Sequence, residues 1–252
     1  MKPKVSKLHT REEFEQLRIQ SAQAMAQDAV LGQEALNVLV KADQYHWVHQ
    51  TTWFGEPILQ LPQDMFALQD IIFRTQPSFL IEVGVAWGGS LLFYATLMEA
   101  LGKGQVIGVD VYVPPDLKKR VSVFGKVSKR ITWVEGSSIE EATLEKIKAI
   151  TGGSREVLVN LDSNHTHEHV LRELKMYSPM VGRGYYLVCG DTIVEAIPEQ
   201  THRPRPWGRG NNPKTALDQF LREEDRFEVD QEIGNKLLFT CNPGGYLKCL
   251  KD

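Results

Sequence analysis

An apolar run, Phe79-Leu-Ile-Glu-Val83, passes straight into a turn carrying Gly84, Gly88 and Gly89, and Ser90 then opens an apolar helical stretch to Ala100. A second apolar run, Val106-Ile-Gly-Val-Asp110, follows and ends in an acid. Runs this short and apolar are buried strands, and the glycines allow the chain to reverse tightly into a helix. The unit is therefore strand, turn, helix, strand, which belongs in an α/β sheet.

The same unit suits a nucleoside ligand. Glycines admit a ligand close to the backbone, helix-start amides face it, and a carboxylate at the next strand end accepts ribose hydroxyl protons. The dinucleotide spacing G-x-G-x-x-G is absent; Gly84 is followed by Gly88 and Gly89, and Glu82 stands two residues before the turn. A carboxylate there serves a pyrophosphate badly, but it matches the sulfonium and ammonium of S-adenosylmethionine by charge. Glu82, Gly84, Gly88, Gly89, Ser90 and Asp110 are thus candidate cofactor-binding residues, with Ser138 placed to border the adenine. A glycine turn that only packs a strand on a helix is the plainer alternative.

Periodicity predicts alternating elements: helix 65–75, strand 79–83, helix 90–101, strand 105–110, strand 131–134, helix 140–150, strand 157–161, helix 166–176, strand 185–189 and helix 214–224. That order predicts a mostly parallel, doubly wound sheet with ligands beyond the carboxyl ends of its strands. Phe227-Glu-Val-Asp230 and Leu237-Leu-Phe-Thr-Cys241, flanking Gly234-Asn235, read as an antiparallel closing hairpin. A parallel sheet so finished is the class I methyltransferase (Rossmann-like) arrangement. Residues 11–41 carry a helical pattern, with Thr10 and Glu13 as a capping box. Residues 1–57 are read as an N-terminal helical extension plus an aromatic loop, and residues 58–252 as the cofactor domain. The aromatic stretch 45–54 and the Pro- and Arg-rich stretch 198–213 are long connections of the kind that close over sites, and Arg203, Arg205, Trp207 and Arg209 are candidates for acceptor contact.

Composition narrows the function classes. The 252 residues carry a net charge of −3, 42% of them are apolar, and the cations are scattered, so neither nucleic acid nor an anionic membrane is indicated as partner. Lys118-Lys119-Arg120 reads as a solvated helix face. The N-terminus lacks an apolar secretion core and no run reaches the roughly 20 apolar residues of a membrane span, which predicts a cytoplasmic protein. Cys189, Cys241 and Cys249 lack metal spacing and read as reduced core thiols.

Two further strands end in acids. Val157-Leu-Val-Asn-Leu-Asp162 leads to Ser163-Asn164-His165, and Tyr186-Leu-Val-Cys-Gly-Asp191 leads to Thr192. Parallel strands bring Asp162 and Asp191 to the edge that holds Gly84 and Asp110, where the two carboxylates can share a cation. Hard oxygen donors with positions left to water match magnesium; the alternative is that each acid caps the element after it. Asp162 also borders the cofactor. Transfer of a methyl from a sulfonium to a hydroxyl needs alignment and removal of a proton, and His165 is the candidate general base. His167 and His169 read as capping or surface residues.

Gln60-Leu-Pro-Gln-Asp64, Ile81-Glu-Val-Gly-Val-Ala-Trp-Gly-Gly-Ser90, Leu161-Asp-Ser-Asn-His-Thr-His-Glu-His-Val170, Gly190-Asp-Thr192 and Asn242-Pro-Gly-Gly-Tyr-Leu-Lys248 together resemble the cephalosporin hydroxylase family. That family, despite its name, consists of S-adenosylmethionine-dependent O-methyltransferases, with rhamnosyl O-methyltransferases among its relatives. The resemblance implies the class I fold, magnesium at the strand-end acids, homo-oligomers, and hydroxyl acceptors on sugars or natural products. One position departs from it: Gly190 stands where the family commonly has a glutamate before the aspartate. Either two acids hold the metal with added water, or metal binding is weak, or His165 acts without metal. An NAD-dependent oxidoreductase and a cofactor-binding but inactive homologue are the competing readings.

Overall fold

The computed structural model describes residues 10–252. Its centre is a seven-stranded sheet of β3 (Phe79–Val83), β4 (Gln105–Asp110), β5 (Ile131–Glu135), β6 (Val157–Leu161), β7 (Tyr186–Cys189), β8 (Phe227–Val229) and β9 (Tyr246–Cys249), in the order β5-β4-β3-β6-β7-β9-β8. Neighbours from β5 to β7 pair parallel, and β9 pairs antiparallel with both β7 and β8. This is the predicted class I arrangement.

Both faces of the sheet are buried, which explains why the strands read as continuous apolar runs rather than alternating ones. Leu80, Val106, Leu158 and Val188 face one core, with α3 (Pro62–Thr75) and α4 (Gly89–Leu101) supplying Met65, Leu68, Leu91 and Leu92. Ile81, Ile107, Val159 and Leu187 face the other, against α6 (Glu141–Thr151), α7 (His167–Tyr177) and α8 (Pro213–Glu223). Each fully buried aliphatic side chain contributes about 1.5–3 kcal/mol, so register is strongly specified on both sides.

Register sets the functional edge. Val109, Val83 and Leu161 are aligned partners across β4, β3 and β6, and Leu161 aligns with Cys189 of β7. The next residue on each strand is Asp110, Gly84, Asp162 and Gly190, so these four emerge in one row. The chain runs from β3 outward to β5 and then crosses back to β6, so β3 lies at the switch point where a crevice opens.

The helical pattern expected over 11–41 is present, and two expectations about the closing segment are corrected. The helical pattern 11–41 is two helices, α1 (Arg11–Gln27) and α2 (Ala29–Asp43), broken at Asp28, whose side chain caps the second through Leu31 N. The Thr10/Glu13 capping box is present. Leu237–Cys241 is not a strand; the partner of β8 is β9. Gly234-Asn235 sits instead in a short helix, α9 (Gln231–Asn235), because Asp230 caps Ile233 N at 3.1 Å. Residues 240–241 are tied to Asp64 rather than to a ladder: Asp64 accepts from the Thr240 hydroxyl and, at 2.8 Å, from Cys241 N.

The aromatic stretch is a short 3₁₀ turn, Trp47–Gln50, followed by a hairpin of β1 (Thr51–Trp53) and β2 (Glu56–Ile58). Trp53 packs edge-on against Phe93 of α4 at 5.0 Å. Lys118 and Arg120 lie on α5 (Pro115–Ser122) and pair with Glu135 and Glu56, the solvated face expected of them. The three cysteines are free and buried.

Candidate active site

A cleft of about 550 Å³ opens beyond the carboxyl ends of β4, β3, β6 and β7. Glu82, Gly84, Ser90, Asp110, Ser138, Asp162, His165 and Asp191 all line it. Gly88 and Gly89 lie off its wall, and their bare α-carbons do packing work. A Cβ on Gly89 would stand 2.4 Å from the Pro57 carbonyl, and one on Gly88, where φ is +77°, would stand 2.9 Å from Leu117. Gly88 is also the N-cap of α4 and supplies no side-chain cap, which leaves helix-start amides for a ligand.

Gly84 permits the closest approach in the site. At φ +99°, a Cβ there would meet the Asp162 carbonyl at 2.0 Å, so the β3 turn and the β6 end touch only because the residue is glycine. Gly84 N donates to Val109 O at 2.9 Å and Asp162 N to Val83 O at 2.8 Å, extending the ladder into the cleft.

Glu82 is buried on the α4 face and accepts from Ser90 Oγ at 2.7 Å and from Asn160 Nδ2 at 3.5 Å. Burial lifts its pKa to about 8, and a cationic ligand beside it would favour the ionised form. Asp110 accepts from Val85 N at 2.9 Å with one oxygen and from Tyr112 N at 3.3 Å with the other. Trp87 and Val111, both exposed, line the mouth beside it. Ser138 donates to Glu173, a carboxylate buried in α7 that also accepts from Ser163 at 2.6 Å and contacts His169 Nε2 at 3.1 Å. His169 therefore belongs to the cleft wall, which its sequence position concealed; His167 instead contacts Thr215 and Gln219 of α8.

At the other end Asp162, His165 and Asp191 converge. One donor atom from each lies within 4.8 Å of the others, and His165 Nε2 is 3.4 Å from Asp191 Oδ2. Burial, and then the neighbouring Asp191 charge, raise the Asp162 pKa to about 6, against the opposing pull of His165 and the Gln60 hydrogen bond. Gln60 Nε2 donates to Asp162 Oδ2 at 2.8 Å. Asp191 takes a left-handed conformation, φ +52°, which costs a non-glycine residue free energy; Asn242 Oδ1 holds it there by accepting from Asp191 N at 2.9 Å. The Asn242-Pro-Gly-Gly segment thereby has a local purpose.

The long connection after β7 folds over this end. Trp207 meets the His165 ring edge-on at 4.8 Å, and Arg205 lies 5.4 Å over Trp207. Arg203 lines the cleft too, while Arg209 points away and donates to Glu195 O at 3.3 Å. Asp43, buried at the end of α2, accepts from Gln200 at 2.7 Å and from Arg203 at 2.5 and 3.1 Å, and His202 Nε2 stands 2.7 Å away. Leu39, Val40, Val48, Ile193, Val194 and Ile197 give the cleft an aliphatic wall, with Leu39, Val48 and Ile193 in one packed cluster. Sequence reading missed Gln60 and Asp43 as cleft residues, whereas Val48 falls in the 45–54 stretch expected to close over a site. Only Gln60 carried a signal, through the motif it opens.

Against known proteins, residues 45–250 match the model of the Rhamnosyl O-methyltransferase/CmcI family. The chain belongs to that family. The rhamnosyl O-methyltransferase of Mycobacterium leprae is 31% identical over 216 residues, covering 82% of this chain and 89% of that protein. Its namesake in Mycobacterium bovis is 29% identical over 216 residues, covering 82% and 84%. Among solved structures, an apo-structure of CmcI aligns with a TM-score of 0.55 at 19% identity, covering 80% of this chain and 77% of that one. A putative caffeoyl-CoA O-methyltransferase from Staphylococcus aureus aligns with a TM-score of 0.53 at 12% identity, covering 95% and 99%. These two likenesses bear on the fold. Membership in the Rhamnosyl O-methyltransferase/CmcI family makes the chain an S-adenosylmethionine-dependent O-methyltransferase by class, which removes the oxidoreductase reading.

Proposed function

We propose that this member of the Rhamnosyl O-methyltransferase/CmcI family moves the methyl of S-adenosylmethionine to a hydroxyl of a sugar or natural product, with a divalent cation, magnesium in the sequence reading, held at Asp162 and Asp191. The observation that carries this reading is the single row of Asp110, Gly84 and Asp162 at the switch point, with Asp191 joining them across one cleft. Asp110 suits ribose hydroxyls, Trp87 and Val111 suit the faces of an adenine, and Ser138 suits its edge. Glu82 supplies negative charge for the cationic methionine end.

The cation, when bound, lowers the pKa of an acceptor hydroxyl. The chain's own part is alignment. Gly84 and the start of α4 fix the methyl donor, while Trp207, Arg205 and the aliphatic wall bound the space where an acceptor approaches, and such alignment is worth about 7–11 kcal/mol of barrier. Incubation with labelled S-adenosylmethionine and a panel of glycosides and phenolic acceptors, with and without magnesium, tests the reading. Label transferred to a hydroxyl supports it; cofactor binding with no transfer to any acceptor would favour an inactive homologue.

Homo-oligomer formation belongs to the same proposal. α1 buries no residue and exposes Phe14 and Leu17, while α3 exposes Phe66 and Phe73. Apolar helix faces of this kind support an intersubunit contact. Light scattering on the purified protein reads it, and a monomer at micromolar concentration removes that part. Among the described residues no helix is long and apolar enough to cross a membrane.

A further inference from the structure

We propose that His165 is the third protein ligand of the cation rather than a free base, making a two-aspartate, one-histidine centre that favours first-row transition ions such as Mn2+ and Co2+ over Mg2+ beyond what its carboxylates alone confer. The inference rests on a cation being held at Asp162 and Asp191, and it assigns His165 and the metal class.

Distances carry it first. Cis ligands on a six-coordinate ion with bonds of about 2.1 Å stand about 3 Å apart, and opposite ones about 4.2 Å. The His165 Nε2 to Asp191 Oδ2 separation is 3.4 Å, and the three donor atoms lie within 4.8 Å of one another. Small rotations of the side chains close such a set on one face of an ion, leaving the opposite face to water and acceptor. The Nε2 lone pair serves one partner at a time, so a ligating His165 would not be the proton acceptor, and the acceptor's hydroxyl proton would pass to solvent water at the mouth of the cleft.

Gly190 is the second support. A Cβ at this position would press on the Leu161 carbonyl at 2.8 Å and on Asp162 Oδ1 at 3.1 Å. The backbone here is built for glycine, and no carboxylate from position 190 enters the cleft. Two acids alone make a sparse protein ligand set, and among the described His, Cys, Asp and Glu side chains His165 is the further donor that reaches the same point.

The surroundings fit ligation. Gln60 Nε2 fixes one Asp162 oxygen at 2.8 Å, an outer-shell contact of the kind that orients metal carboxylates. Gln60 Oε1 is buried and has no hydrogen-bond partner among the described residues, an acceptor that a cation-bound water would satisfy. Trp207, edge-on at 4.8 Å, restricts the imidazole ring. An imidazole beside two carboxylates shifts a site from Mg2+ toward softer first-row ions.

The test uses full-length protein freed of metal by chelation. Isothermal titration with MgCl2, MnCl2 and CoCl2, and the visible spectrum of the Co2+ form, are compared among wild type, His165→Ala and His165→Gln, with circular dichroism and S-adenosylhomocysteine binding confirming that each variant folds. The expected result is a loss of Co2+ affinity of tenfold or more in both variants, a smaller loss for Mg2+, and a changed Co2+ spectrum. Equal Co2+ affinity and an unchanged spectrum, together with a fall in turnover, would return His165 to the role of base and overturn the proposal, as would a wild type that binds none of the three ions. Failure of the methyltransferase reading shows separately, as a chain that binds Co2+ through His165 yet ignores S-adenosylhomocysteine.

Discussion

Gln60 and Asp162, 102 residues apart, meet through one hydrogen bond of 2.8 Å from Nε2 to Oδ2. It ties the segment entering α3 to the acid at the end of β6 and sets which Asp162 oxygen remains free. Gln60→Ala is expected to weaken Mn2+ binding about tenfold or more, the usual scale for losing an outer-shell partner. Titration calorimetry reads this directly. An unchanged affinity means that Asp162 is oriented by its backbone alone.

The Glu82 carboxyl links cofactor affinity to pH. Its pKa is pushed up to about 8 because burial disfavours the charge, and a cationic ligand favours the ionised form. Binding at neutral pH should therefore release a proton, and affinity for S-adenosylmethionine should rise with pH, up to roughly tenfold per unit, levelling above 8. Calorimetry in buffers of different ionisation enthalpy counts the proton. Glu82→Gln should flatten the profile; a wild-type affinity indifferent to pH between 6 and 8, on the order of one proton's range, removes Glu82 from the cofactor's charge environment.

Gly84→Ala should be far worse than an ordinary glycine substitution. The added methyl meets a backbone carbonyl at 2.0 Å, in a conformation of positive φ, so the β3 turn and β6 must separate. We expect a stability loss of about 3 kcal/mol or more and no cofactor binding. Gly153→Ala is the control: its φ is +79° with nothing within 4 Å of the new methyl, so only the conformational cost of about 1–2 kcal/mol applies. Comparable melting temperatures for the two variants would show that the close approach is not enforced.

Asp43 latches the connection that covers the acceptor end, through Gln200, His202 and Arg203. Hydrogen bonds to a charged group contribute about 1.5–3 kcal/mol each. Asp43→Ala should accordingly raise trypsin cleavage after Arg209, the arginine of this connection that is not followed by proline, at least tenfold and raise the KM for acceptor, with S-adenosylhomocysteine affinity nearly unchanged. Limited proteolysis followed by mass spectrometry checks it; protection equal to wild type shows the covering segment is held elsewhere.

The strand ends were legible because each is a local event: an apolar run long enough to be buried, stopped by Gly84, Asp110, Asp162 or Gly190-Asp191. Parallel pairing then obliges those ends to meet. The closing hairpin was only half legible. Leu237–Cys241 has the composition of a strand, but its Thr240 and Cys241 are claimed by buried Asp64, 176 and 177 residues away, and no local pattern reports a partner at that separation.

By itself the sequence determined the sheet, its parallel sense, the glycine turn and the chemistry offered at each strand end, since these follow from period, propensity and residue type along short windows of chain. Tertiary structure decided which donors share a point. Asp191 is turned into its left-handed conformation by Asn242, Gln60 reaches Asp162, and Asp43 receives Arg203 from 160 residues further on. Each contact joins groups far apart in the chain, and its geometry is set by packed helices and strand register rather than by any spacing along the backbone.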